Sequence, residues 1–167
     1  MYAVRVLSSG DLMTARSYLE RVADPGPAGP NERALFYRDL AEVRLALGDR
    51  AGAAAAVNSA AEAQSQQPLN ARFTPGERRL AQRTLEALRA AADADVAGLA
   101  AACSTDERPP AVDACYLLGW TYEGRGEVAS ARAAYQTYVD RAPTWSFLRR
   151  APLMRQHAEA FLAQASR

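Results

Sequence analysis

The stretch Ala114 to Pro143, ACYLLGWTYEGRGEVASARAAYQTYVDRAP, reads as a helix, a tight turn and a second helix. Cys115, Leu118 and Tyr122 fall three and four residues apart, the spacing that puts side chains on one face of an α-helix. Gly119 sits beside that stripe. Gly124 and Gly126 mark the turn, because glycine enters left-handed backbone angles without a Cβ clash. Glu127 then brings a negative charge to the start of the next helix, where the helix dipole favours it. Ala131, Tyr135 and Tyr138 form the answering stripe, and Pro143 ends the unit. Two helices this short cannot bury both stripes against each other, so the unit calls for neighbours stacked beside it.

Leu118-Gly119, Tyr122, Gly126, Ala131, Tyr135 and Pro143 stand in the order and at the spacing of the tetratricopeptide repeat, L-G-x2-Y, then A-x3-F/Y, then P. The stretch resembles that family and departs from it at Cys115, where a large aromatic is usual. The resemblance implies an all-α fold: a right-handed α-solenoid of antiparallel helix pairs closed by a C-terminal capping helix. It also implies a function, that of a non-catalytic scaffold binding a peptide or helix of another protein in the concave groove lined by the first helices of successive pairs. Carried over by position, the groove residues of this repeat are Asp113, Tyr116, Trp120, Glu123 and Gly124. In an earlier repeat they are Leu35, Arg38, Glu42, Leu45 and Ala46. Trp120 falls off the core stripe, and a tryptophan not needed for packing is suited to anchor a partner. The competing reading packs Trp120 and Tyr116 against a neighbouring unit. Arg38, Glu42 and Glu123 are mixed in sign, so they suit setting register and do not make a basic clamp for a carboxylate terminus.

Toward the N-terminus, Gly10-Asp11 with Ala15 and Leu19 repeats the phrase of Gly126-Glu127, Ala131 and Tyr135. It places Tyr2, Ala3 and Val6 on the last turns of a first helix whose beginning is missing; Met1 is expected to be an engineered start inside a longer protein, the alternative being the start of a naturally trimmed array. Gly48-Asp49 with Ala53 is a third copy; the three copies are separated by about one and about two repeat lengths of nearly forty residues. Around it Tyr37, Leu40, Ala41 and Val57 match the repeat. Arg44 stands where an aromatic is expected, so Val43 and Leu47 are expected to carry the core. Asn31 is the expected N-cap of this unit, after the Pro/Gly loop from Asp24 to Pro30.

A diverged unit fills the gap before the best repeat. Thr74-Pro75-Gly76-Glu77 is a helix-start signature, and Leu80, Leu85, Leu88, Ala92, Val96, Leu99 and Cys103 recur at helical spacing. Asp93-Ala94-Asp95 is expected to break this stripe into a helix pair. After Pro143, Trp145, Phe147 and Leu148 open a terminal segment that Pro152 is expected to interrupt. Leu153, Met154, His157, Phe161 and Leu162 continue its apolar stripe, with Arg150, Arg155, Gln156, Glu159 and Gln164 toward water. The expected organisation is one unit: 1–30 a partial repeat, 31–72 a degenerate repeat, 73–108 a diverged pair, 109–143 the best repeat and 144–167 a capping helix.

The chain has 167 residues, a net charge of +1 and neither lysine nor isoleucine. Such a balance gives no whole-protein field for nucleic acid, and the arginines at 78, 79, 83 and 89 are interleaved with acids as on a solvated helix face. No run approaches the roughly twenty apolar residues of a membrane span. Catalytic signatures are absent: the glycines at 26 and 29 follow no strand, and no nucleophile elbow or phosphate loop is present. His157 is the single histidine and reads as a partly buried packing residue, so neither a metal nor another cofactor is expected. Cys103 and Cys115 are expected as two free, buried thiols; the alternative is a disulfide, which moves the expected compartment from cytoplasm to periplasm. A second function class also fits, self-association through apolar Tyr2, Val4 and Val6 at the open N-terminal end.

Overall fold

The computed structural model describes residues 11–21, 29–66, 74–104, 112–141, 148 and 150–164. Among these, eight helices follow one another: α1 (Leu12–Arg21), α2 (Pro30–Ala46), α3 (Arg50–Ser65), α4 (Pro75–Ala92), α5 (Val96–Ser104), α6 (Asp113–Gly124), α7 (Val128–Arg141) and α8 (Ala151–Gln164). Helices α2 and α3, α4 and α5, and α6 and α7 form antiparallel pairs. The second helix of each pair also packs on the first helix of the next element, and α2, α4 and α6 touch in that order. The protein is therefore all-α with largely sequential helix pairing. Tyr2, Val4, Val6, Trp145 and Phe147 lie outside the described residues.

Local chemistry sets the helix ends. At α4, Thr74 Oγ1 accepts from the Glu77 N–H at 3.2 Å and the Glu77 carboxylate accepts from the Thr74 N–H at 2.7 Å, so two otherwise orphaned donors are satisfied. The Thr74 N–H and, at 2.8 Å, the Thr74 hydroxyl both donate to the Glu77 carboxylate and hold it below its ordinary range. The start of α2 differs from expectation. Gly29 is the cap, Pro30 the first helical residue, and Asn31 lies inside the first turn without capping. Gly48 and Gly126 take φ of +81° and +74°, the angles that the repeated Gly-acid phrase requires. The break between α4 and α5 falls at Asp93-Ala94-Asp95, with Ala94 at φ +54° and Asp95 accepting from the Gly98 N–H at 2.9 Å. A left-handed alanine costs on the order of 1 kcal/mol, and here the cap of α5 offsets it.

The interior alternates alanine with a few large wedges. Ala15, Ala41, Ala60, Ala91 and Ala131 are fully buried and let helices approach closely, while Leu19, Val43, Leu88, Leu99 and Tyr135 fill the gaps. Val43 carries the core as expected and Leu47 packs against it half-buried. Arg44, in the aromatic's place, reaches Gly52 O at 3.2 Å and Glu20 Oε1 at 3.3 Å, tying α1 and α3 to α2. Tyr135 lies flat on α6 at Gly119, where an added Cβ would stand 2.6 Å from the ring.

Two further expectations are corrected. Cys103 in the last turn of α5 and Cys115 in the first turn of α6 are joined in a disulfide, not held as free thiols. Helices α5 and α6 pack together and present these ends to each other, with the two Cα atoms 4.7 Å apart. Pro152 does not interrupt the terminal helix; it sits in the first turn of α8, where its missing N–H costs nothing.

Candidate partner-binding face

Helices α2, α4 and α6 meet along one face, and the terminal segment lies against it. A hollow of about 70 Å³ remains there. It is bounded by Glu42, Leu45 and Ala46 of α2, Leu88 of α4, Tyr116, Leu117 and Trp120 of α6, and Arg150 and Met154. Glu42, Tyr116 and Trp120, which the sequence assigns to one face from two different repeats, thus share one hollow.

The other assigned residues are placed differently. Arg38 is buried one turn before Glu42, and its Nη2 donates to Asp39 Oδ1 at 2.9 Å. Asp113 is buried in the first turn of α6. The Glu123 carboxylate accepts from the Tyr135 hydroxyl at 2.6 Å and lies 3.4 Å from His157 Nε2. Arg38, Glu42, Asp113 and Tyr116 are all at or below 7 % exposure, so the face is not an open trough lined by the whole set. Its cover is the end of the chain. The Arg150 N–H donates to Glu42 Oε1 at 2.9 Å, Leu148 and Met154 are buried, and Tyr116 Oη lies 3.1 Å from His157 Nδ1. Helix α8 brings its own apolar stripe, Met154 and Ala158, which packs down instead of leaving the face to solvent.

Arg150 is the residue of this face that the sequence reading missed. Its position before α8 suggested a water-facing side chain, whereas its backbone amide makes the contact. Side-chain periodicity carries no signal for a backbone donor. His157 is half-buried as expected, its ring edge-on to Tyr116 and Tyr135 at centroid distances of 5.9 and 5.5 Å. With Phe161 5.2 Å from Tyr135, these rings fasten α8 to α6 and α7.

The chain matches no family model, no curated protein and no solved structure. What the face can do rests on its own chemistry. Among the described residues no group of three or more His, Cys, Asp or Glu is arranged to hold a metal ion, and no helix is long and apolar enough to cross a membrane.

Burial raises the Glu42 carboxyl to about 7; nearby Asp39 adds to the rise, and Arg150 and Arg38 oppose it. Burial likewise pushes the Tyr116 hydroxyl up to about 12, and it raises Tyr135 and Tyr138 as well. The linkage sign for Glu42 follows. Between its unfolded value of 4.5 and its folded value of about 7 the native state holds a proton that the unfolded chain has lost, so raising pH through that window removes stability. Stability from this group is complete below about 4.5 and gone above about 7. We expect Glu42→Gln, which stays neutral, to flatten that part of the stability curve and to be the more stable protein at pH 8, as measured by urea unfolding at a series of pH values. An unchanged slope in the variant would assign the pH dependence to other groups.

Proposed function

We propose that the protein is a non-catalytic scaffold of tetratricopeptide-like helix pairs that holds a segment of another protein at the face made by α2, α4 and α6. The observation that carries this reading is the convergence of Glu42 from one pair with Tyr116 and Trp120 from another around one unfilled hollow. The family assignment and the right-handed winding belong to the same proposal. They are supported by the matching left-handed glycines Gly48 and Gly126 and by the close seat of Tyr135 on Gly119.

The mechanism is passive. Trp120 is half-buried, so one part of its ring rests on the core and the rest borders the hollow. An apolar side chain of the partner enters between Trp120, Leu45, Leu88 and Met154, with Glu42 and Arg150 forming the polar wall that fixes its orientation. In this reading Arg38 and Glu123 are structural, since both are engaged inside the fold. The disulfide fits an oxidising compartment such as the periplasm.

Trp120→Ala is expected to weaken partner capture by about tenfold or more, the loss typical of a central aromatic anchor. Its melting temperature is expected to change little. Pull-downs with the intact protein and the variant, read by mass spectrometry beside a thermal melt, measure both. A collapse in melting would show Trp120 to be core and remove the anchor.

A second reading, self-association through the N-terminal end, has one observation behind it. Met13 on α1 is 65 % exposed, on a surface it shares with Arg16, Ser17, Glu20 and Arg21. A single exposed methionine among charges is less than a stacking face needs, so we place it second.

A further inference from the structure

A larger hollow than that at Trp120 lies on a different face. It is a trough of about 750 Å³ over α4, walled on one side by α3 and on the other by α5. Its origin is in the lengths and ties of these helices. Helix α5 has 9 residues against 18 in α4 and 16 in α3. Helix α5 packs on α4 and α6, where the disulfide holds its last turn, while α3 packs on α2 and α4. The two second helices therefore stand apart over α4.

The lining is largely apolar and low: Leu85 and Ala90 of α4 at the base, Val57 and Ala61 of α3 on one wall, and Gly98 and Ala102 of α5 on the other. Side chains this small let another helix axis approach to about 8 Å. The rim is acidic, with Glu86, Asp93 and Asp95 against one cation, Arg89. That arginine is already engaged, its Nε with Asp93 Oδ2 at 2.7 Å and its Nη1 with Asn58 Oδ1 at 2.5 Å. Glu86 and Asp95 are exposed and bond to Gln82 and to the Gly98 N–H, with no arginine partner among the described residues. These two carboxylates thus make no ion pair among the described residues; the nearby Arg125 guanidinium donates to the Ala94 carbonyl at 3.0 Å and faces Glu127 at 4.0 Å.

We propose that this trough is a second interaction surface, and that its occupant is a basic amphipathic helix of another protein. Helix is the conformation the walls permit. All three sides are helices whose backbone groups are internally bonded, so they offer no edge to pair with an extended strand, whereas a helix satisfies its own backbone. The lining of α4 runs from Gln82 to Asp93, which spans roughly 16 Å and matches about three helical turns. The ligand presents small and medium apolar side chains on one stripe and arginine or lysine flanking it, over Glu86 and Asp95. This site is distinct from the hollow at Trp120: α4 contributes to both, but through different side chains, and no residue lines the two together.

The test uses the whole, oxidised protein and a labelled synthetic peptide of about 14 residues, with Ala and Leu at helical spacing and Arg on both flanks. A control peptide carries Glu at the flanks, and binding is read by fluorescence anisotropy at two salt concentrations. The arginine peptide is expected to bind about tenfold or more tightly than the control, with affinity falling as salt rises. Glu86→Gln with Asp95→Asn removes the two charges while keeping both hydrogen bonds, and is expected to weaken binding about tenfold and lessen the salt effect. Ala61 is exposed on the wall, so Ala61→Trp fills the trough without disturbing the core and is expected to abolish binding. Trp120→Ala leaves this binding unchanged. The proposal is overturned if both peptides bind alike, if Ala61→Trp has no effect, or if neither peptide binds because the chain's own residues cover the trough. It is also overturned if light scattering shows a dimer that Ala61→Trp dissolves, which would make a second copy the occupant.

Discussion

Tyr135→Ala is expected to remove about 4 kcal/mol of folding stability, the range for deleting a buried aromatic ring. Its ring is fully buried, lies on the backbone of α6 at Gly119, and meets Tyr116, His157 and Phe161 at centroid distances from 5.2 to 5.5 Å. Because those contacts join α6, α7 and α8 at once, truncation leaves a cavity that three helices border and none can fill alone. In a chain of this length each kcal/mol moves the melting temperature by about 2–4 °C, so a fall of roughly 8–16 °C is expected in a thermal scan. Tyr135→Phe separates ring from hydroxyl. It loses only the bond to Glu123, whose carboxylate is half-exposed and regains water, at a cost of about 1 kcal/mol. Gly119→Ala probes the same contact from the other side: a Cβ 2.6 Å from a ring with nowhere to move overpacks the seam by about 1–3 kcal/mol. Near-equal losses for Tyr135→Ala and Tyr135→Phe would assign the stability to the hydrogen bond and refute the packing account.

That seam was legible because its code is local. The spacing of Leu118-Gly119, Tyr122, Ala131 and Tyr135 specifies which faces meet, and Gly126 specifies where the chain reverses, without reference to anything distant. The break at Asp93-Ala94-Asp95 and the Thr74 cap were legible for the same reason. Misreadings arose where two local signals compete. Asn31 is a good cap, but Pro30 before it fixes φ for the first helical turn and moves the start upstream. Pro152 looks like a breaker until it is placed in the first turn.

The site was legible only in part. Position within a repeat put Glu42, Tyr116 and Trp120 on one face, and they border one hollow. What covers that face depends on how the terminal segment, seated through α8 on α6 and α7, brings Arg150 to Glu42 of α2, a contact across 108 residues of chain that no periodicity encodes. The same holds for the trough over α4. In the sequence Leu85 belongs to the apolar stripe of α4 and Asp93 to the break after it; that α3 and α5 stand apart, with nothing described packed between them, is carried by neither signal.

Opening the Cys103–Cys115 disulfide is expected to lower stability by about 3 kcal/mol, the loop-closure value for a short ring such as this separation of 12 residues. The effect falls on one element in particular. Helix α5 has 9 residues, fewer than the roughly 12–15 an isolated helix needs, and Leu99 is its single fully buried side chain. It stays in place through packing on α4 and α6, through the disulfide, and through the Arg141 guanidinium, which donates to the Cys103 carbonyl at 3.2 Å. Without the covalent tie its last turn frays first, so hydrogen exchange in the Cys103→Ser/Cys115→Ser variant is expected to accelerate across 96–104 while α2 and α3 keep their protection. Because α5 is also a wall of the trough, the arginine peptide is expected to bind the reduced protein more weakly than the oxidised one. Equal unfolding midpoints with and without reductant would show that α5 is held by its packing alone, and the oxidising compartment would then lose its structural rationale.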